Sequence, residues 1–351
     1  MWHKVKELFD YGEKVAPARL VTAWKGEYHF LYAAGQAREN TVFDLASLTK
    51  PLATAWLALN LPLGLNTNLD RIWPDVPNDK KLITLEQILN HSAGWPEHRP
   101  YYQQLLTHPE KERNSICRSL ILTESLAFKP GKGELYSDLG YMLLGLLLED
   151  LSAASLDKLF ERSVSTLNLK SWIGFLPLNK PVKKLFDAEA DIAPCGSMPE
   201  LRREQIKGQV EDENAFALNG VAGHAGLFGT AGAVRDMVRQ VFSTQKAKDW
   251  LSLARAVKIF NRNPELGNST RTLLFDTPTS TSDGLSSVGS NHPPGLIGHL
   301  GFTGVSLWYQ PEEDLGVIIL TNRVAYGRGN MAIREFRSQA HSLIWPILDA
   351  V

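Results

Sequence analysis

Ser47 and Lys50 stand three residues apart in the stretch FDLASLTKPLATAWLALN, residues 43–60. A hydroxyl and an amine at this spacing share one face of a helix, as a nucleophile and its base would. A lysine that leads into a buried, apolar helix loses hydration, which predicts a pKa lowered toward that of a useful base. The alternative is a serine that caps the helix and a lysine whose ammonium reaches water.

The Ser-x-x-Lys pattern occurs twice more, as Ser155–Lys158 and Ser243–Lys246. Ser155 opens SLDKLFERS, where a serine followed by an acidic residue is typical of a helix N-cap. Ser243 lies in the polar end of a predicted helix. We interpret both pairs as structural. Ser47 differs because it follows a predicted strand end and precedes a helix that is apolar almost all round.

A tyrosine stands at a second loop-to-helix junction, in GKGELYSDLGYMLLGLLLE, residues 131–149. Tyr136 is followed by Ser137 and Asp138, either of which suits an N-cap. The phenol of Tyr136 could instead relay a proton, provided that a neighbouring ammonium lowers its pKa from about 10.

Three glycines fall within seven residues of a predicted strand, GHLGFTG at 298–304. Glycine weakens a strand unless another group must approach its backbone closely. A substrate lying along the strand is one such group, and a β-bulge is the alternative. His299, taken alone, is more typical of a structural histidine.

Other polar residues are weaker candidates. His91 and His98 are interpreted as loop-stabilising residues. His224, between glycines in AGHAGLF, either lines the cleft or belongs to a structural turn, and Asp212 and Asn214 are candidates for the rim of the site. The nine histidines show no HExxH spacing, which argues against a zinc site, so we expect neither metal nor cofactor.

The composition is that of a globular protein: 351 residues, 44% hydrophobic, 21% charged, formal charge −1. This charge balance predicts no nucleic-acid binding, and no apolar run is long enough to predict a membrane span. Cys117 and Cys195 lie far apart and are expected to be reduced thiols. The N-terminal segment lacks an apolar signal core, so we expect a cytoplasmic protein, or a periplasmic or extracellular one if the chain is processed. Nothing in the sequence indicates its oligomeric state.

Strand patterns occupy both ends of the chain and helical patterns the middle. Residues 19–35 predict a hairpin that turns at Lys25-Gly26, and 297–302, 304–310 and 315–323 predict three further strands. The economical fold is α/β (α+β), an antiparallel sheet built from both chain ends and flanked by terminal helices, with an inserted helical subdomain.

The predicted domains are an α/β sheet domain (1–55 and 215–351) and a mainly helical subdomain (56–214), with the active site at their junction. The long irregular stretches 173–215 and 261–296 are expected to be functional loops or disordered. The second leads directly into a predicted strand, which favours a place on the rim of the site.

Taken together, these motifs resemble the serine β-lactamase and penicillin-binding-protein superfamily, in its class C-like branch of esterases, D-amino-acid peptidases and cell-wall amidases. FDLASLTK is similar to the first motif, with Ser47 as nucleophile and Lys50 as base. YSD is similar to the second, usually Tyr-x-Asn, with Tyr136 as proton shuttle. HLG is similar to the third, usually Lys-Thr-Gly, with His299 and Gly301 at its ends.

The resemblance spans nearly the whole chain and implies further roles. It places an oxyanion hole at the backbone N–H groups of Ser47 and Phe302, and it gives Asp138 and His299 roles in tuning charge and positioning substrate. Four further stretches support it: LEQILNHSAGWP (85–96), VEDENAFALNGVAGHAGLFGTAG (210–232), LLFDTP (273–278) and GFTGVSLWYQPEEDLGVIILTNR (301–323).

Two departures from the family pattern bear on function. Asp138 replaces an asparagine, and His299 replaces a lysine, which makes a fixed positive charge conditional on pH. We therefore expect a serine hydrolase that forms an acyl-enzyme with a small-molecule or peptide-like substrate, an ester or amide. Candidate substrates include peptidoglycan-derived compounds and compounds that contain a D-amino acid. The alternatives are a catalytically weak penicillin-binding sensor or scaffold and a β-lactamase of low activity.

Overall fold

The computed structural model describes residues 1–180, 191–201, 203–204, 206–244, 249, 271–279 and 285–351. Strands are Ala18–Lys25 (β1), Tyr28–Gly35 (β2), Phe43–Asp44 (β3), Ile173–Phe175 (β4), Leu227–Gly229 (β5), Ile297–Leu300 (β6), Ser306–Gln310 (β7) and Leu315–Thr321 (β8). The α-helices are Trp2–Asp10, Trp56–Leu59, Leu85–Leu89, Tyr102–Leu105, Glu110–Thr123, Asp138–Ser152, Leu156–Val164, Glu213–Ala217, Ala231–Ser243 and Ile333–Asp349.

The main sheet has five antiparallel strands in the order β2-β1-β8-β7-β6. Strands from the two ends of the chain meet at its centre, where β1 pairs with β8. This arrangement confirms the α/β fold class expected from the sequence. Gly26 has a φ of +54° in the turn between β1 and β2, a conformation that glycine adopts without steric cost. A second sheet of three short antiparallel strands has the order β3-β5-β4.

Both faces of the main sheet are covered, which explains why LGVIILT reads as a continuous apolar run. Successive side chains of β8 alternate between two cores. Val317 and Ile319 pack with the terminal helices, whereas Ile318 and Leu320 face the larger core that includes the helical region. The division into domains at 55/56 and 214/215 stays a prediction.

The helix Asp138–Ser152 is buried over most of its length, as its Leu-rich sequence predicts. Within the described ranges, no single helix is both long enough and apolar enough to cross a bilayer. Cys117 and Cys195 are buried and not joined in a disulfide.

The two long stretches predicted to be irregular differ from that expectation in part. Residues 173–215 contain β4, a short 3-10 helix at Pro199–Leu201 and an isolated bridge between Val42 and Ile192. Of 261–296, residues 261–270 and 280–284 lie outside the described residues, as do 181–190, 202 and 205. Asp276 bridges to Gly298, so the segment around Asp276 lies against the edge strand β6.

Candidate active site

Ser47 lies on a 3-10 turn, Ala46–Leu48, directly after strand β3. Ala46 has a φ of +47°, a left-handed conformation that is uncommon for a residue with a Cβ. The Asp44 carboxylate holds this turn by accepting a 2.8 Å hydrogen bond from the Ala46 N–H. The turn presents the partly buried Ser47 to a cavity of about 720 Å³.

The helix that we expected near Ser47 is present but is not a regular α-helix. The 3-10 turn is followed by a π-helix, Lys50–Ala55, and only then by the short α-helix Trp56–Leu59. Pro51 lacks the N–H that an α-helix would bond to the Ser47 carbonyl, and π-turns are frequent at functional sites. The whole of Lys50–Ala55 is buried, as the apolar sequence predicts.

The ammonium of Lys50 is held by three groups. It donates to Ser47 Oγ at 3.2 Å, to Asp138 Oδ1 at 2.7 Å and to the carbonyl of His224 at 3.2 Å. The expectation of a lowered pKa was wrong. Burial does oppose the charge, but Asp138 and Tyr136 together outweigh it and raise the pKa of Lys50 above its ordinary value. Lys50 is therefore an ammonium in the resting site.

The ring of Tyr136 lies close to two cations. Lys50 Nζ is 4.8 Å from its ring centroid and the Arg271 guanidinium carbon 4.7 Å, and its hydroxyl interacts with both Ser47 and Lys50. The ammonium does favour the phenolate, yet burial dominates and raises the pKa of Tyr136. We expected Tyr136 to relay a proton if a neighbouring ammonium lowered its pKa from about 10. That condition is not met in the resting site.

Ser137 is the N-cap of the helix that follows Tyr136. Its hydroxyl accepts from the Gly140 N–H and donates to the Pro96 carbonyl. Asp138 is then the first helical residue, where the positive end of the helix favours a carboxylate. Burial opposes its charge, but Lys50 and His98 overcome this and hold the pKa of Asp138 below its usual range. His98 Nδ1 lies 3.8 Å from Asp138 Oδ2.

His299 lies on β6 and lines the cavity. Its Nδ1–H donates to the Leu300 carbonyl at 2.7 Å, and its buried Nε2 has no partner among the described residues. Burial lowers the pKa of His299 to about 4, assisted by Lys50 and Arg271. The charge that we expected to depend on pH is consequently absent near neutrality.

The glycines near His299 have a packing reason that differs from the one predicted. A Cβ on Gly298 would meet the Leu307 carbonyl oxygen at 2.2 Å and the Trp308 ring at 2.3 Å. A Cβ on Gly301 would meet Val305 Cγ2 at 2.3 Å. Neighbouring protein atoms, rather than a substrate, exclude a side chain at both positions.

Two backbone N–H groups on the cavity wall are without a hydrogen-bond acceptor in the described part of the chain. Ser47 and Phe302 both line the cavity, and neither of their N–H groups is bonded to an acceptor within the described part of the chain. Both groups are therefore available to an oxygen of a ligand in the cavity.

The weaker candidates divide into two groups. Asp212 and His224 line the cavity and form a pair, with His224 Nε2 2.8 Å from Asp212 Oδ1. Asn214 does not line it: its side chain accepts from the Tyr102 N–H and donates to the Arg99 carbonyl, both at 2.8 Å. The prediction that Asn214 lies on the rim of the site was therefore wrong, and its side chain fixes a loop instead.

The remaining motif residues have structural partners. The Ser155 hydroxyl donates to Asp157, whereas Lys158 pairs with Glu161. Lys246 lies outside the described residues. His91 Nδ1 accepts from the Ser137 N–H at 3.1 Å, which supports its loop role.

Several cavity residues were not found from the sequence. Arg271 lies 2.9 Å from Glu134 and 2.5 Å from Asp276, and it covers Tyr136. The neighbouring stretch LLFDTP supports the family resemblance, but no local pattern predicts that Arg271 lies against Tyr136, which is distant in the sequence. Glu211 and Glu213 also line the cavity, together with four arginines from beyond β8: Arg323, Arg328, Arg334 and Arg337.

Known proteins share both the sequence pattern and the fold. The family described as Beta-lactamase matches residues 18–341. An Escherichia coli (strain K12) protein provisionally named a D-alanyl-D-alanine carboxypeptidase is 28% identical over 319 residues, 82% of this chain and 70% of that protein.

Two solved structures have similar folds. EstCE1, described as a hydrolase with promiscuous acyltransferase activity, has a TM-score of 0.65 at 18% identity, covering 96% of this chain and 98% of that one. A D-stereospecific amidohydrolase from Streptomyces also has a TM-score of 0.65 at 18% identity, covering 92% and 94%. Because the family match extends over nearly the whole chain, this protein belongs to the beta-lactamase family and is a hydrolase.

Proposed function

We propose that the protein cleaves an ester or amide through an acyl-enzyme on Ser47. The observation that carries this proposal is the contact of Ser47 Oγ with a buried amine, at 3.2 Å from Lys50 Nζ, on the wall of an open cavity. A serine hydroxyl becomes nucleophilic when an adjacent base accepts its proton.

The base in this site is the coupled pair of Lys50 and Tyr136. Both groups are protonated at rest, so the attacking form requires the loss of one proton from the pair. Interacting groups titrate as a unit, and the raised pKa values of both place this loss on the alkaline side of neutrality. We therefore expect the acylation rate to rise with pH.

Acylation then proceeds by attack of Ser47 Oγ on the substrate carbonyl as its proton passes to the pair. The N–H groups of Ser47 and Phe302 stabilise the oxyanion, a contribution on the order of 10²–10³ in rate per donor. Tyr136 returns the proton to the leaving group, and water hydrolyses the acyl-enzyme.

The nucleophile is tested with p-nitrophenyl butyrate and two matched variants. Ser47→Ala should abolish turnover, whereas Ser155→Ala, an exposed serine in the same Ser-x-x-Lys pattern, should retain it. Intact-mass measurement after a fluorophosphonate should show one adduct, lost only in Ser47→Ala. Retention of activity and labelling in Ser47→Ala would refute the assignment.

A D-amino-acid amide or peptide is the second candidate substrate, supported by the names of the E. coli relative and of the Streptomyces amidohydrolase. Rates on a D-alanyl-D-alanine peptide and on its L,L counterpart decide between this class and simple esters. An acyl-enzyme that forms but does not turn over would favour the sensor or scaffold instead. The neutral His299 argues against an efficient β-lactamase, because no fixed charge stands at the third-motif position.

A further inference from the structure

Asp44 is a buried carboxylate directly before the turn that carries Ser47, and the acyl-enzyme mechanism does not use it. It ends strand β3, and only 2% of its surface is exposed. Within the described ranges, Asp44 forms no ion pair. A buried carboxylate without a cationic partner must be satisfied by hydrogen bonds, so the donors that Asp44 accepts from indicate its role.

The Asp44 carboxylate accepts two backbone N–H groups from distant parts of the chain. Oδ1 accepts from the Ala46 N–H at 2.8 Å, and Oδ2 accepts from the Glu211 N–H at 2.8 Å. The first bond closes the turn in which Ala46 has a φ of +47°, a conformation that is disfavoured for a residue with a Cβ. The carboxylate therefore stabilises the strained turn that presents Ser47.

The backbone of Asp44 is bonded to the segment that supplies the second oxyanion donor. The Asp44 carbonyl accepts from Thr303 Oγ1 at 2.8 Å. Thr303 directly follows Phe302, whose N–H is proposed to stabilise the oxyanion together with that of Ser47. Asp44 thus contacts both segments, and its position affects the distance between the two donors.

The surroundings of Asp44 place its ionisation at mildly acidic pH. The charged and titratable groups that face it are Arg203, Glu211, Asp212 and the thiol of Cys195. Burial raises the pKa of Asp44 to about 6, although the two N–H bonds and Arg203 favour the carboxylate. A protonated carboxyl keeps only part of its acceptor capacity, so one of the two N–H bonds weakens when Asp44 takes up a proton.

We propose that Asp44 is a positioning residue whose ionised carboxylate holds the Ser47 hydroxyl and N–H in the reactive arrangement. Misplacement of a reacting group by about 1 Å can cost about a hundredfold in rate. Asp44 acts through the turn and not on the reacting atoms, so its loss should lower kcat and leave KM nearly unchanged. The inference rests on the proposed function, since it takes Ser47 as the nucleophile.

Two substitutions at Asp44 test the role of the bond to the Ala46 N–H. Asp44→Ala removes both acceptor oxygens, and kcat on p-nitrophenyl butyrate should fall about a hundredfold. Asp44→Ser keeps a hydroxyl that can accept the N–H two residues further on, so it should recover about tenfold of that loss, the size of one hydrogen bond. The second-order rate of fluorophosphonate labelling at Ser47 should follow the same order, and it measures the nucleophile without turnover.

Asp314→Ala is the matched control. The Asp314 carboxylate also holds a turn, and it accepts from Trp24 Nε1 at 3.1 Å, the Tyr309 hydroxyl at 3.2 Å and Arg239 Nε at 2.8 Å, but it does not line the cavity. Asp314→Ala should lower stability in urea and leave kcat and the labelling rate unchanged. If Asp44→Ala is folded by circular dichroism and matches Asp314→Ala in both rates, the proposal is overturned.

The pH profile is a test that a merely structural role would not affect, and the unchanged protein suffices for its first part. Loss of one proton from the pair of Lys50 and Tyr136 gives log kcat/KM a slope of about one against pH. A requirement for ionised Asp44 should steepen this slope toward about two below pH 6, and Asp44→Ser should keep a slope near one. Absence of the steeper region in the unchanged protein would overturn the proposal, as would its persistence in Asp44→Ser, which would assign it to another group such as Glu211.

The results also separate this inference from the proposed function. If Ser47→Ala is inactive while folded Asp44 variants keep the kcat of the unchanged protein, the positioning role fails and the hydrolase stands. If no ester is turned over but Ser47 is labelled, and labelled about a hundredfold more slowly in Asp44→Ala, the positioning role stands and the assignment of turnover fails. If the unchanged protein neither hydrolyses an ester nor reacts at Ser47, both fail.

Discussion

Asp138→Asn should change the pH dependence of the enzyme because Asp138 raises the pKa values of both groups that must lose a proton, Lys50 and Tyr136. The Lys50–Asp138 contact is 2.7 Å, and the two side chains are 1% and 20% exposed. At an effective dielectric constant of about 20, unit charges at this distance attract by about 6 kcal/mol. Loss of this attraction favours deprotonation of the pair, and an amide hydrogen bond from the new asparagine offsets part of the effect.

We therefore expect the limb of kcat/KM that rises with pH to move at least two units lower in Asp138→Asn, with higher activity at pH 7 than the unchanged protein. The measurement is p-nitrophenyl butyrate hydrolysis from pH 5 to 10. The same change leaves a buried ammonium without its partner, which costs about 3–5 kcal/mol of stability, so urea unfolding at pH 7 is measured alongside.

Asp157→Asn is the matched control, because Asp157 also lies in the first turn of a helix and pairs with a lysine, Lys180, at 2.7 Å. Asp157 does not line the cavity. The rising limb of the kcat/KM pH profile of Asp157→Asn should therefore coincide with that of the unchanged protein. If Asp138→Asn folds and the rising limb of its pH profile coincides with that of the unchanged protein, Asp138 does not set the protonation of the base formed by Lys50 and Tyr136.

Three further outcomes are expected. Tyr136→Phe should lower kcat on p-nitrophenyl butyrate by about 10²–10⁴, the usual size of a proton-transfer contribution; an unchanged kcat would remove Tyr136 from the mechanism. His299 has a pKa of about 4 in the folded protein and about 6.5 in the unfolded chain. As the pH decreases from 7 to 4, the unfolded chain therefore binds the proton first, and the free energy of unfolding should fall by about 3 kcal/mol. This part of the decline should vanish in His299→Gln, and an identical decline in the variant would contradict the assignment. Gly298→Ala should lower the free energy of unfolding by about 1–3 kcal/mol, because the new Cβ overpacks against Trp308. A Cβ at Gly329 would meet no atom within 4 Å, so Gly329→Ala should leave the denaturation midpoint nearly unchanged. Equal midpoints for the two variants would show that the strand adjusts to the added methyl group.

The sequence predicted the elements that depend on short-range patterns. β-rich runs on either side of a glycine turn predicted the hairpin of β1 and β2, and the apolar run after Ser47 predicted a buried segment. The order of Ser47, Tyr136 and His299 along the chain indicated the family. These features are local, or are carried by motifs whose residue types are conspicuous in themselves.

Protonation states were decided only by the tertiary structure. Desolvation of Lys50 could be inferred from its neighbours in sequence, but the sign of its pKa shift depends on Asp138, 88 positions away in the chain and 2.7 Å away in space. The same holds for Tyr136, where burial outweighs the adjacent ammonium.

The π-helix after Ser47 was likewise not predicted, since Pro51 is compatible with several kinds of helical turn. No spacing in the sequence predicts that Arg323, Arg334 and Arg337 line the same cavity, because the end of a strand and a helix bring them together. Sequence thus determined which groups are available for chemistry, whereas the folded chain determined their charges, because electrostatic free energy depends on distance and burial rather than on position in the chain.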